Sequence, residues 1–270
     1  MPKPNTQSSS TSKPTFLGLG AAKAATTSVA ALLKRHPEIG FPINGQKELH
    51  FFDYDENDTE TRIRDYLGSF ECNRVIGEFS PSYLYVKACR DRILKVLGKQ
   101  TKFLVILRDP VDRAYSHYCH AVNEWSTDKY RSRGYPIERL SFVEAVKMEE
   151  ERLLSGEYHI RHQSYFSKGL YAEQLRWYFQ VFPRENFFIG LLEEFTAAPN
   201  AFMNEIFRFL GVTERHDSDV SVARKLNSQS DGAVRSRDRA WLLQRYLPSI
   251  LDLEQLLAKD LSGWKRIHPV

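Results

Sequence analysis

The chain has 270 residues, 42% of them hydrophobic and 27% charged, with a formal net charge of +4. These values suit one globular α/β domain with a sizeable core, and no apolar run approaches the roughly 20 residues of a membrane-spanning helix. Lys and Arg are not massed in blocks, so the mild positive balance suits a site for a polyanionic cofactor at least as well as a nucleic-acid surface.

Residues 1–13 are polar and rich in Ser, Thr and Pro, without the apolar centre of a signal peptide, and are read as a disordered tail or linker before a domain spanning 14–270. Cys72, Cys89 and Cys119 are widely spaced and form neither a C-x-x-C pair nor a metal-ligand pattern. A reducing compartment, and hence a cytoplasmic location, is the simpler expectation.

Phe16–Leu19 is a short apolar run ending among Gly18 and Gly20, and it predicts a buried strand entering a tight turn. Val29, Leu32 and Leu33 then recur at helical spacing. Between them stand Lys23, Thr26, Thr27 and Ser28. A strand-to-helix turn aims backbone N–H groups and the positive end of a helix dipole at one point, which suits phosphate or sulfate. The P-loop pattern GxxxxGK[ST] fails here, because Lys23 lies between Ala22 and Ala24. The absent hydroxyl is the one that holds Mg²⁺ in nucleotide triphosphatases, so the loop suits an anion and demands no metal. The plainer alternative is an ordinary turn carrying an exposed lysine.

Pro37 ends the first helix. The next run, Lys47-Glu48-Leu49-His50-Phe51-Phe52-Asp53, mixes acid, imidazole and aromatic groups. In an extended chain Glu48 and His50 share a face, which permits acid–base work; a solvated surface segment is the alternative. Ile63, Tyr66 and Leu67 mark a helix, and Val75–Phe79 a buried strand ending at Ser80-Pro81, a helix N-cap and first-turn pair. Residues 90–97 read as a helix.

Lys102–Leu107 is the clearest strand, apolar almost throughout as central parallel strands are. Arg108 follows at its carboxyl end, where open α/β sheets bind ligands. Asp109, Pro110 and Asp112 then suit the N-cap and first turn of a helix carrying Arg113, Ser116 and His117. Arg108 either serves an anion or pairs with Asp109 or Asp112. Residues 125–139 form a polar loop long enough to be a lid. A capping box at Ser141–Glu144 opens a helix to about Ser155, and a second helix spans Gly169–Phe182. Asn186–Leu192 is a strand, and a helix over Asn200–Leu210 stops at Gly211. The stretch from Arg224 to Gly232 is a basic loop, and helices are expected over 236–247 and 250–258. Alternating strands and helices predict a single α/β domain with a mainly parallel sheet.

Five segments in this order resemble the sulfotransferases that use 3′-phosphoadenosine 5′-phosphosulfate (PAPS), in the branch of the heparan sulfate enzymes and their bacterial relatives. They are GLGAAKAATTS at 18–28, KELHFFD at 47–53, GEFSPSY at 77–83, LRDPVDRAYSHY at 107–118 and DLSGW at 260–264. The resemblance covers about Thr15 to Trp264 and implies a P-loop-like sulfotransferase fold, PAPS as donor, PAP as product and no metal requirement. It assigns Lys23, Ala25, Thr26, Thr27 and Ser28 to the 5′-phosphosulfate, and Arg108 and Ser116 to the 3′-phosphate. Arg224, Lys225 and Arg235 fall in a loop that closes over the cofactor. Glu48 matches the general base, Lys23 stabilises the leaving phosphate with help from His50, and Asp53 completes the motif on the acceptor side. From their residue type alone, Tyr83, Tyr85, Trp125 and Tyr130 are candidate walls of an acceptor pocket, with core packing as the alternative. The acceptor is expected to offer a hydroxyl, with an amine as the lesser alternative, on a small molecule, a carbohydrate or a carrier. Two departures stand out: Phe79 replaces a lysine frequent in the heparan sulfate enzymes, and no cysteine lies where those enzymes have a disulfide near the cofactor loop. The competing readings are a P-loop nucleotide kinase or ATPase, against which Ala24 argues, and a non-catalytic binder, which has no use for a base at Glu48.

Overall fold

The computed structural model describes residues 13–124, 138–156, 160, 162–215 and 234–266. Trp125, Tyr130, Arg224, Lys225 and nearly all of the expected N-terminal tail lie outside the described residues.

Strands β1 (Phe16–Gly20), β2 (Ile39–Gly40), β3 (Val75–Phe79), β4 (Lys102–Leu107) and β5 (Phe187–Leu191) form one sheet in the order β2-β3-β1-β4-β5. Every pairing is parallel. Helices cover both faces of such a sheet, which is why β1, β3 and β4 read as continuous apolar runs rather than alternating ones. The two-residue β2 had no such signal; it follows Pro37 and is defined only by pairing Ile39 with Val75 and Gly40 with Ile76.

Ten α-helices occur among the described residues: α1 (Thr26–Leu33), α2 (Glu60–Leu67), α3 (Ala88–Leu97), α4 (Pro110–Glu124), α5 (Phe142–Lys147), α6 (Glu149–Leu154), α7 (Tyr171–Phe179), α8 (Leu192–Ala197), α9 (Pro199–Leu210) and α10 (Ser236–Leu257). None is long and apolar enough to cross a membrane. Three expectations are corrected. Ser80-Pro81 does not open a helix; α3 starts only at Ala88, and Ser80 serves the site described below. The helix expected up to Ser155 is two short helices joined at Met148. The two C-terminal helices are one, because α10 runs through Pro248. A proline inside a helix costs about 3 kcal/mol, and here Leu242, Leu243 and Tyr246 before it and Ile250 and Leu253 after it are all buried, which outweighs that cost.

β1 and β4 are neighbours whose chains leave in opposite directions, β1 towards β2 and β3, β4 towards β5. Their carboxyl ends therefore form the crevice where open α/β sheets hold ligands. The β1–β4 register shifts between Gly18 and Gly20, and the Ala21 N–H then donates to the Ile106 carbonyl at 2.7 Å. Gly18 is required by packing rather than by a turn. A Cβ there would lie 2.0 Å from the Phe79 ring. Phe79 is fully buried against β1, so the charge missing at this position is replaced by core packing.

Asp109 caps α4 as expected, accepting from the Val111 N–H at 2.8 Å. Its other oxygen meets Arg239 of α10, whose guanidinium also donates to Asp112 at 2.6 Å. Arg239 and Asp109 are almost wholly buried. Burial, with the charge of Asp112, pushes the Asp109 carboxyl up to about 6 despite this partner. Removing one member of such a pair strands the other. Arg239→Met is expected to lower unfolding stability by about 3–5 kcal/mol. Urea titration checks this, and a loss below about 1 kcal/mol would show that α10 is held by its apolar face alone.

Candidate active site

The loop between β1 and α1 is built from residues in an unusual conformation. Lys23 (φ 70°) and Ala25 (φ 58°) are both left-handed, a cost that L-residues without glycine's freedom rarely accept. Such alternation turns successive N–H groups towards one point, an anion-binding concavity. Ala25 is the N-cap of α1 and supplies no side-chain cap, and Thr26, Thr27 and Ser28 form the first turn, where a helix presents its N–H groups outward. Thr26 and Ser28 are buried, Thr27 is exposed and Lys23 is half-buried.

Arg108 stands across the crevice at the end of β4. Its guanidinium donates to the Lys23 carbonyl at 3.1 Å, while Tyr171 donates to the Arg108 carbonyl at 3.0 Å. The alternative of an ion pair with Asp109 or Asp112 does not hold, because both face Arg239. The C-terminal motif reaches the same turn: the Trp264 indole N–H and the Asp109 N–H both donate to Glu193. Ser116 is buried on α4. Beside it, burial and then the charges of Lys168 and Arg113 hold His117 well below its usual range, with Lys23 contributing. The surroundings of the loop are therefore cationic, and His117 is neutral within them.

The 47–53 segment crosses this crevice from the end of β3. The Phe79 N–H donates to the Lys47 carbonyl at 3.3 Å. Glu48 and His50 do meet, Oε2 to Nε2 at 3.2 Å, although not as an extended strand would bring them together. His50 is left-handed (φ 51°), and this bend turns its ring between two carboxylates, with Nδ1 2.8 Å from Asp53 Oδ2. Ser82 Oγ donates to the same Asp53 oxygen at 2.5 Å. On the other side, Lys47 Nζ lies 2.6 Å from Glu48 Oε1 and 2.8 Å from Thr27 Oγ1. Asp53, His50, Glu48, Lys47 and the anion loop thus form one continuous polar chain.

Burial opposes charge on both central groups and is outweighed on both. Hydrogen bonds from His50 and the charge of Lys47 bring Glu48 down to about 2, and Asp53 and Glu48 bring His50 up to about 9. At neutral pH the site therefore holds an ionised Glu48 beside a protonated His50.

Beneath it lies Glu78, fully buried on β3. Tyr83 donates to Oε1 at 2.7 Å and Ser80 to Oε2 at 2.8 Å. The same two hydroxyls accept from the backbone of the site: Ser80 Oγ from His50 N at 3.0 Å, Tyr83 OH from Phe51 N at 2.8 Å. Burial pushes the Glu78 carboxyl up to about 7 against its two donors. Of the two roles open to Tyr83, the structure shows core packing: it is wholly buried, and its hydroxyl holds the Phe51 backbone next to the left-handed His50. Arg239 carried no signal in the sequence, because a helical arginine is ordinary until its partner is known, and Ser82 lay in the GEFSPSY segment without a role assigned to it.

Tyr85 is half-buried, its hydroxyl 2.7 Å from Ser167 Oγ and its ring under the Lys168 ammonium. Arg235 is exposed at the start of α10 and lines a cavity of about 370 Å³ with Phe142, Lys147, Arg237 and Trp241. Cys72, Cys89 and Cys119 are thiols, not disulfide partners.

Among the described residues no group of three or more His, Cys, Asp or Glu side chains is placed to hold a metal ion. The arrangement can bind an oxyanion at the loop and accept a proton at a carboxylate next to it.

The family model for the sulfotransferase domain matches residues 16–237. The chain is 30% identical over 139 residues to the membrane-associated sulfotransferase kil1 of Dictyostelium discoideum, covering 50% of this chain and 29% of that protein. It is 25% identical over 207 residues to human heparan sulfate glucosamine 3-O-sulfotransferase 3B1, covering 75% of this chain and 48% of the relative. It spans about half or less of the length of these two curated relatives. A sulfotransferase from Alicyclobacillus acidocaldarius has the same fold, with a TM-score of 0.77 and 31% identity over 94% of this chain and 100% of that one. With the family model spanning the sheet, the anion loop and the 47–53 segment alike, the chain belongs to the sulfotransferase family and is a sulfuryl-transferring enzyme.

Proposed function

We propose that the enzyme takes its sulfuryl group from PAPS and delivers it to a hydroxyl of a small-molecule, carbohydrate or carrier-bound acceptor. The observation that carries this reading is the polar chain from Thr27 through Lys47 to Glu48, which sets a carboxylate directly beside an anion loop. PAPS supplies a sulfuryl group already activated as a mixed anhydride with phosphate, so the protein's work is positioning, charge stabilisation and proton removal. The residues present fit such a donor. The left-handed loop, Lys23 and the first turn of α1 hold its 5′ end, and Lys23 stabilises the charge left on the phosphate oxygen. Arg108 and Ser116 hold the 3′-phosphate, and Arg235 approaches from the start of α10. Glu48 takes the acceptor's proton, and His50 and Asp53 hold Glu48 in place. The wall of the acceptor site includes Tyr85.

PAP is expected to raise the melting temperature in buffer containing EDTA, and ATP is not; stabilisation by Mg·ATP alone would instead support a P-loop kinase or ATPase. Arg108→Ala is expected to weaken PAP about 10–100-fold and to leave the analogue lacking the 3′-phosphate within a few-fold of the parent. Isothermal titration calorimetry measures both. Equal losses would make Arg108 a brace for the loop through the Lys23 carbonyl.

A further inference from the structure

We infer that Lys47 is the cation that grips the group in flight, and that the same movement releases Glu48 to act as base; this rests on the donor reading above. Lys47 Nζ bridges Thr27 Oγ1 at 2.8 Å, Thr26 Oγ1 at 3.5 Å and Glu48 Oε1 at 2.6 Å. It therefore occupies the space between the anion loop and the base. In an in-line displacement that space belongs to the transferred group, with the attacking oxygen on the side of the base and the leaving oxygen on the side of the loop.

The backbone at this position is pinned, whereas the ammonium is held only by hydroxyl and carboxylate oxygens that other oxygens can replace. The Lys47 carbonyl accepts from Phe79 at the end of β3, and Gln46 Nε2 donates to the next carbonyl, that of Glu48, at 2.7 Å. Beyond Cβ, the flexible stem of lysine lets the ammonium exchange partners without moving the chain. Its three present partners are all oxygen atoms, two hydroxyls and a carboxylate, so sulfuryl oxygens are chemically equivalent replacements. When Lys47 turns from Glu48 to those oxygens, Oε1 loses its donor and becomes available for a proton. The bond from sulfur to the acceptor oxygen then forms. The bond from sulfur to the phosphate oxygen breaks and leaves its electron pair there. The acceptor's proton passes to Glu48, and Lys47 keeps its charge throughout. Donor arrival and exposure of the base become one event, which limits proton uptake by Glu48 before the donor is in place.

The donor and its product differ only in the sulfuryl group, so they separate this role from a general contribution to the anion loop. PAPS and PAP binding are measured by calorimetry without acceptor for the parent, Lys47→Met and Lys47→Arg. The expected result is that Lys47→Met weakens PAPS about 10–100-fold, leaves PAP within about threefold, and that Lys47→Arg restores most of the loss. Retained PAP binding also shows that the variant is folded. Equal weakening of PAPS and PAP, or no weakening of either, overturns the role of Lys47 and leaves the donor reading standing. Failure of the parent to bind either ligand overturns the donor reading and this inference with it.

Discussion

Glu48→Gln is expected to bind PAPS and PAP within a few-fold of the parent and to lose turnover by about 10²–10⁴. The substitution keeps the shape of the side chain and its contact with Lys47, but an amide cannot take the acceptor's proton. The test needs an aliphatic alcohol as acceptor, since an acidic phenol ionises with little help. The structure sharpens the expected outcome. Burial would raise the Glu48 carboxyl, but the His50 hydrogen bond and Lys47 bring it down to about 2, so the base is ionised throughout the useful pH range. The parent should therefore show no acidic limb from Glu48 near neutrality. His50, raised to about 9, keeps its proton until the pH passes that value. Losing it removes the donor that orients Glu48 Oε2, so turnover should decline on the alkaline side, around pH 9. Near-parental rates for Glu48→Gln would place the base elsewhere. Collapse of donor binding would instead mean that Glu48 serves the loop through Lys47, the contact seen at 2.6 Å.

Lys23→Ala is expected to lose donor binding and turnover together, by about 10–150-fold in affinity, because a charged contact to an oxyanion is worth about 1.5–3 kcal/mol. A complication is its backbone. Lys23 is left-handed, and alanine at φ 70° carries the same local cost as lysine, whereas glycine relieves it. Lys23→Gly is the control: it should be as stable as Lys23→Ala or more so, and equally poor at binding. If the glycine variant binds PAPS as the parent does while the alanine variant does not, the loop backbone holds the anion and the ammonium is dispensable. If both variants bind normally, the loop is not the donor site.

Where burial is complete and local, the sequence announced it. β1, β3 and β4 are apolar almost throughout because parallel strands are covered on both faces, and their alternation with helices named an α/β fold. Asp109 and Pro110 opened α4 as their side-chain chemistry requires, and the Lys23 loop and the Glu48 segment stood out by composition. The tertiary structure decided what each polar group faces. Arg108 had three anions to choose from on paper. Arg239, 130 positions from Asp109, took both neighbouring carboxylates and left Arg108 to the loop. Ser80 looked like a helix cap and Tyr83 like a pocket wall or a core residue, and only the packed chain shows that both join Glu78 to the backbone of His50 and Phe51. Glu48 and His50 share a face through a left-handed bend that no alternation pattern encodes. Hydrophobic periodicity reports how deeply a position is buried, since that is set by its own element. A hydrogen bond depends on the position of a second atom, often tens of residues away, and only the packed chain supplies it.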